Sequence, residues 1–301
     1  MQNERENIQI IPIQCYEDNY TYLLLGGKQN EGILIDPSDI QKIEAFFKNQ
    51  SHLKITHILY THKHWDHAGN SQQLKNFFQG LPQNKDHKIQ LIAHDQDAQH
   101  IKGIDKILNE KKNEFVINES FKITSYHVPC HTKGHALYYI EPLFKNAQLS
   151  QQDQQLISSN QSFQSQKALF TGDTLFIGGA GRFFEGNSQE MYQNFELIST
   201  LPDDTDVYCG HEYTVANYKW AVQVEKNNQN LINNYNKAKK LRQQGKFTIP
   251  STILNEKQTN IFMRCNEKSL QELFNNNNPV EIMTQLREMK NQGQTEIQQK
   301  L

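Results

Sequence analysis

The sequence predicts a layered α+β fold followed by a mainly helical tail. Three observations point there. Short apolar runs rich in β-branched residues, bounded by Gly, Pro, Asn or Asp, fill the first two thirds of the chain. Amphipathic helical patterns are interleaved with them, and the strand signals fade after about Glu212.

The predicted strands are 8–13, 20–25, 32–35, 56–60, 89–93, 121–128 and 168–171. Between them, 38–50 places Ile40, Ile43, Phe46 and Phe47 on one helical face. Asn187-Ser188-Gln189-Glu190 reads as a capping box ahead of Met191, Phe195 and Ile198. The stretch 217–244 reads as one long helix closed by Gly245, and Pro279 opens another helix that turns Val280, Met283 and Leu286 inward. The segment 148–166 is rich in Gln, Ser and Asn and is expected to be a flexible surface insertion, and 275–278 a polar connector.

At 301 residues the chain is long enough for one large domain and a smaller one, here 1–212 and 213–301. The net charge of −2 supplies no field for nucleic acid or an anionic membrane, which favours a small-molecule substrate. No apolar run approaches the roughly 20 residues of a membrane span. Cys15, Cys130, Cys209 and Cys265 form no paired motif and are expected as reduced thiols, with Cys130 and Cys209 neighbours of the site, not ligands. The polar start, 1–7, has neither the apolar core of a secretory signal nor the acid-poor character of a transit peptide. A cytoplasmic monomer is expected; a mitochondrial form from another start site stays open.

The chemistry concentrates in Thr61-His62-Lys63-His64-Trp65-Asp66-His67, directly after a predicted strand. His62 and His64 are two apart in extended chain and can grip one cation. A turn at Trp65-Asp66 redirects Asp66 and His67 toward another. His131, Asp173 and His211 each follow a short apolar run, where sites are commonly built on loops. Imidazole and carboxylate without thiolate suit zinc, iron or manganese. His135 is surplus to this ligand set and is given a supporting or core role; His52, His57, His87, His94, His100 and His127 are read as ordinary histidines.

The histidine motif, with Gly172-Asp173-Thr174 and Gly210-His211-Glu212-Tyr213, resembles the metallo-β-lactamase superfamily. With Asp18-Asn19-Tyr20, Pro129-Cys130-His131-Thr132-Lys133-Gly134-His135, Gly181-Arg182-Phe183-Phe184-Glu185-Gly186 and Phe262-Met263-Arg264, the whole chain resembles the glyoxalase II (hydroxyacylglutathione hydrolase) family. The resemblance implies an αββα sandwich followed by a smaller all-helical C-terminal domain. It implies two divalent ions per chain, zinc first, iron or manganese also fitting: one on His62, His64 and His131, the other on Asp66, His67 and His211, with Asp173 bridging. Asp66 would also orient the nucleophile. The substrate implied is a glutathione thioester, S-D-lactoylglutathione, hydrolysed to D-lactate and glutathione as the second step of methylglyoxal detoxification. Arg182, Phe184, Tyr213, Asn217, Arg287 and Lys290 match the family's glutathione-contacting positions. Phe184 departs from members that carry tyrosine there, so a phenol contact is absent.

A thioester suits such a site because a thiol with a pKa of roughly 8.5 leaves without a dedicated general acid. The rival within the superfamily is a glutathione persulfide dioxygenase with a single iron, which has no use for the second ligand set and lacks the helical tail. A metal-binding protein without catalysis would be expected to lack some part of the ligand set, and none is missing. A nuclease would be expected to carry a basic groove or an added nucleic-acid domain, and neither is evident.

Overall fold

The computed structural model describes residues 7–144 and 147–296; the polar residues 1–6, where no targeting signal is expected, lie outside the described residues, as do 145–146 and 297–301. One sheet of seven strands runs from edge to edge as Phe163–Ser165, Ile8–Cys15, Asn19–Leu25, Glu31–Ile35, Lys54–Leu59, Gln90–His94 and Lys106–Leu108. A six-stranded sheet runs Ser251–Thr252, Asp206–Cys209, Ala168–Gly172, Ala136–Pro142, Phe121–His127 and Lys112–Ile117. The two face each other.

Strand Asn19–Leu25 shows why. It is buried throughout, with Tyr20, Tyr22 and Leu24 on one face and Leu23 and Leu25 on the other, the period of two expected of a strand. The inner face meets the second sheet, where the Tyr22 ring lies 5.1 Å from Phe170 and 5.5 Å from Tyr208. Burial of each large apolar side chain contributes about 1.5–3 kcal/mol. The outer face packs against helices Ile40–Phe47 and Ser71–Gly80 through Ile43, Phe47, Leu74 and Phe78. Helix Ser188–Ser199 buries Met191, Phe195 and Ile198 into the core of the second sheet and packs on helix Pro279–Asn291. The result is an αββα sandwich, as expected.

Strands Glu31–Ile35, Lys54–Leu59, Gln90–His94 and Lys106–Leu108 run parallel, as do Ala168–Gly172 and Asp206–Cys209. In both sheets the chain leaves the carboxyl ends of parallel strands at one rim. Open α/β sheets place their ligands there.

Local signals hold well at helix starts. Asn187 caps its helix by accepting from the backbone N–H of Gln189 and Glu190, and the Glu190 side chain accepts from the Asn187 N–H. Asn278 caps the last helix, with Pro279 in its first turn, although Val280 is only half-buried beneath Met283 and Leu286.

Three expectations need correction. The stretch 217–244 is two helices, Thr214–Val224 and Gln229–Gln243, because Asn228 breaks out to cap the second through the Leu231 N–H while Glu225 turns to Arg264. The tail is not wholly helical: Ser251–Thr252 pairs antiparallel with Asp206–Cys209 and extends the second sheet. The 148–166 segment is ordered, forming helix Gln151–Ser159 and the edge strand Phe163–Ser165 on Ile8–Cys15. Its anchor is Asp153, buried, which accepts from the backbone N–H of Ser150 and Asn30 and lies 3.4 Å from His52. The few apolar residues among the Gln, Ser and Asn also anchor it, with Leu156 buried and Leu149, Ile157 and Phe163 packed against the core.

Two glutamates join the tail to the sandwich. Glu212 accepts from Thr248 N at 2.9 Å, Thr248 Oγ1 at 2.6 Å and the Tyr20 hydroxyl. Fully buried Glu256 accepts from Gly178 N, Ser251 Oγ and Asn260 Nδ2 at 2.9, 2.5 and 2.9 Å.

Candidate metal centre and substrate pocket

The predicted ligands converge at the carboxyl rim of the two sheets. After strand Lys54–Leu59, His62 and His64 point together, and the short helix Trp65–Ala68 redirects Asp66 and His67. His131 follows Phe121–His127, Asp173 follows Ala168–Gly172, and His211 follows Asp206–Cys209. His64 Nδ1 lies 3.0 Å from both His62 Nε2 and His131 Nε2. His67 Nε2 and His211 Nε2 are 3.2 Å apart, with Asp66 Oδ2 3.8 and 3.4 Å from them. Asp173 stands between the groups. Its Oδ1 is 3.3 Å from His67 and 3.4 Å from His211, and its Oδ2 is 3.4 Å from His131.

The remote ring nitrogens test whether these residues suit cations. His62 Nδ1 faces Thr61 Oγ1 at 3.1 Å, and His131 Nδ1 donates to the Arg182 carbonyl at 3.0 Å. His67 Nδ1 donates to Asp36 Oδ2 at 3.0 Å, and His211 Nδ1 to Asp18 Oδ1 at 2.8 Å. With the far N–H of His62, His131, His67 and His211 committed, their near nitrogens present lone pairs to the space between them, an arrangement that a shared cation satisfies. Zinc–nitrogen bonds of about 2.0–2.1 Å in a tetrahedral site place their nitrogens roughly 3.3 Å apart, close to the spacing seen. Asp173 Oδ1 is buried without a well-directed hydrogen bond. The space is also guarded by glycine: a Cβ on Gly210 would lie 2.4 Å from Asp173 Oδ1 and 2.8 Å from His67 Cε1. Donor set and space both fit divalent metals.

Charge follows the same division. Burial holds His62 well below the usual imidazole range, and burial likewise lowers His64 and His131. Burial opposes charge on His67 too, but Asp173 and Asp36 outweigh it and raise His67 well above its ordinary value. Burial would raise the Asp173 carboxyl; His67 and His211 overcome it and hold it far below. In the second group the carboxylates of Asp173 and Asp36 thus favour positive charge at His67.

Several supporting residues escaped the sequence reading. Asp36, just past strand Glu31–Ile35, accepts from Thr61 N at 2.7 Å and Thr61 Oγ1 at 2.5 Å as well as from His67. It lies on the far side of the His67 ring, and its oxygens are engaged by Thr61 and His67, so it fixes the orientation of both. Asp97, after Gln90–His94, accepts from Lys63 N, Thr132 Oγ1 and Gly134 N at 2.9, 2.7 and 3.0 Å, tying the His62–His67 loop to the His131 loop. Both aspartates follow a parallel strand, but that position alone does not say what they face. His135 takes the supporting role expected of it: its Nε2 accepts from Asp173 N at 3.1 Å, its Nδ1 meets Thr174 Oγ1 at 3.1 Å, and its ring stacks on His62 at 4.9 Å. Cys130 and Cys209 are free and buried, their sulfurs directed to the carbonyls of Asn187 and His211.

The expected substrate residues fall into two sets. Phe184, 59% exposed, has its ring 5.9 Å from His64 and 5.2 Å from His131. Tyr213 stacks on His211 at 4.7 Å, and Arg182 is exposed. Asn217, Arg287 and Lys290 form a second cluster. Lys290 Nζ donates to Asn217 Oδ1, Asn217 Nδ2 donates to the Ile177 carbonyl at 3.1 Å, and Arg287 Nη1 donates to the Ala180 carbonyl at 3.0 Å. Arg287 and Lys290 share a helix face as predicted, with Arg287 buried and Lys290 half-buried. Burial, then Arg287, brings Lys290 down to about 7, and burial brings Arg287 down to about 10; Arg287 Nε has no partner.

A two-sheet sandwich with histidines and aspartates gathered at one rim defines a metallo-β-lactamase fold, and the superfamily model matches residues 17–142. Solved structures agree on the fold: ETHE1 from Myxococcus xanthus (TM-score 0.53, 20% identity, 89% of this chain and 86% of that one) and the B3 metallo-β-lactamase BLEG-1 (TM-score 0.52, 19% identity, 84% and 98%). A model of the hydroxyacylglutathione hydrolase C-terminus matches residues 212–293. The chain is 34% identical to the cytoplasmic hydroxyacylglutathione hydrolase of Arabidopsis thaliana over 95% of its length and 99% of that protein's. It is 37% identical to that of Dictyostelium discoideum, over 91% and 93%. The chain belongs to the hydroxyacylglutathione hydrolase family.

Proposed function

We propose that the chain hydrolyses S-D-lactoylglutathione and related S-2-hydroxyacylglutathiones to the 2-hydroxy acid and glutathione. The observation that carries this reading is one backbone segment, 177–182, held from both sides: His131 of the His/Asp cluster bonds the Arg182 carbonyl, while Arg287 bonds the Ala180 carbonyl and Asn217, the partner of Lys290, bonds that of Ile177. The names of its relatives support the same reaction.

His62, His64 and His131 would hold one ion and Asp66, His67 and His211 the other, with Asp173 reaching both. Zinc is the first choice; iron and manganese fit the same donors. Such ions supply an acidified water and a Lewis acid for the thioester carbonyl. The chain's own residues do the rest. Asp66, whose Oδ2 lies at the second group, would orient the attacking water. Arg287, Lys290 and Arg182 attract the glutathione carboxylates, and Asn217 holds Lys290 in place. Phe184 and Tyr213 wall the carbonyl end, where Phe184 offers surface but no hydroxyl. The sulfur departs as thiolate without a proton donor, because a thiolate is a weak enough base near neutral pH.

In this reading 1–212 is the metal-binding domain and 213–301 the substrate-binding one, and the protein acts as a cytoplasmic monomer. The dioxygenase reading is disfavoured by the second set of three ligands, which a single iron leaves unused. The test is loss of thioester absorbance with metal-replete protein, with and without chelator. Hydrolysis that stops on metal removal is expected; no turnover with both ions bound would overturn the assignment, as would oxygen uptake with one iron per chain.

A further inference from the structure

The turn between the first two strands, which supplies Asp18 to His211, also brings Asn19 into the second ligand group. Backbone bonds lock it there: Tyr20 N donates to the Gly210 carbonyl at 2.9 Å, Glu212 N to the Asp18 carbonyl at 2.9 Å, and Asn19 bridges to His211. Asp18 has taken the Nδ1 hydrogen of His211. Beside it, Asn19 is 6% exposed, and its Nδ2 donates to Asp66 Oδ2 at 3.0 Å and to the Asp66 carbonyl at 3.2 Å, while lying 3.4 Å from His211 Nε2. Ser38 Oγ donates to that same Asp66 carbonyl at 2.5 Å.

Asp66 needs such help. It sits in a helix of four residues, Trp65–Ala68, too short to fix a side chain by itself, and is the least buried of the second group. A carboxylate free to rotate would lose ordering entropy each time it bound an ion. An amide that grips both its side-chain and main-chain oxygens removes that freedom beforehand.

We propose that Asn19 is a positioning residue: by holding Asp66 in register with His211 it sets the affinity of the second ion while leaving that of the first, on His62, His64 and His131, untouched. This rests on the two-ion reading above. No contact joins Asn19 to the first group among the described residues.

The test is a chelator-competition titration with zinc. In Asn19→Ala, the first ion binds as in the parent, and the second binds about 10–100-fold more weakly. Asn19→Ser, too short to reach Asp66, gives the same split and serves where the alanine variant folds poorly. In an Asp66→Ala background, adding Asn19→Ala changes second-ion affinity less than about twofold, because the residue acts through Asp66. Steady-state kinetics at limiting zinc lose kcat with KM retained. Unchanged second-ion affinity, equal weakening of both ions, or an undiminished effect without Asp66 would each overturn the proposal. A parent protein that binds one ion only would instead overturn the two-ion reading.

Discussion

Replacing Asp36 by asparagine separates the residues that hold ions from the one that holds the residues. Asp36 Oδ2 receives two donors, Thr61 Oγ1 at 2.5 Å and His67 Nδ1 at 3.0 Å. Thr61 Oγ1 in turn faces His62 Nδ1 at 3.1 Å. One oxygen therefore orients a histidine from each ligand group, directly for His67 and through a hydroxyl for His62. In Asp36→Asn the amide oxygen still accepts from Thr61 N, but the amide nitrogen turns a donor toward two other donors. Loss of one member of a buried charged pair costs about 3–5 kcal/mol, which is the expected fall in unfolding free energy of the metal-free protein. Loss of an outer partner typically weakens a metal site about 10–100-fold, or 1.4–2.7 kcal/mol, and here both ions are affected. Urea unfolding of the apoprotein and chelator competition read the two effects separately. If the variant weakens only the ion on His67, the hydroxyl link to His62 does not operate; if it weakens neither, Asp36 is not the organiser of the site.

Further outcomes can be measured on the same protein. Arg287→Ala combined with Lys290→Ala raises KM for glutathione thioesters on the order of 100-fold, from lost charge-assisted bonds, with metal content unchanged; an unaltered KM removes the pair from the pocket. Gly210→Ala drives a methyl group to within 2.4 Å of Asp173 Oδ1, so plasma emission should find at least one ion lost per chain, and full loading would refute the close fit. His94 is buried against the parallel ring of His127 at 3.8 Å, and burial, with His127, lowers it to about 4. Its folded value lies below the unfolded one, so its contribution of about 3 kcal/mol or less is whole above pH 6.5 and is lost as pH falls toward 4. His94→Gln should flatten the acid limb of the melting-temperature curve, and an identical limb would exclude His94 as a cause.

Much of this molecule is legible in its sequence because the relevant signals are local. All seven predicted strands form, and the Asn187 capping box and the Pro279 helix start stand where the residues put them. Strands such as Lys106–Leu108 and Lys112–Ile117 carry too short an apolar run to read as strands, and only pairing with a neighbour makes them so. The ligand cluster was readable because seven metal-type side chains lie at strand ends. Asp36 and Asp97 were not, because a lone aspartate after a strand says nothing until the fold shows which histidine or loop it faces. Arg287 and Lys290 were expected on one helix face; the burial of Arg287 and the softened charge of Lys290 depend on Phe262, Trp220 and Asn217, contributed from elsewhere in the chain.

The glutamate seam bears on how such enzymes can be cut and recombined. Glu212 immediately follows His211 of the proposed second ligand group, yet two of its hydrogen bonds come from Thr248, and Glu256 of the tail caps the Gly178 turn that leads to Arg182. A chain ended after residue 212 would leave Glu212 without either Thr248 donor and the Gly178 amide without its acceptor. The helices therefore cannot be treated as an accessory bolted onto a self-sufficient catalyst. A designer moving this tail onto another sandwich would have to transplant both acidic anchors and their partners, or accept a loosened floor beneath the very histidine the graft was meant to serve.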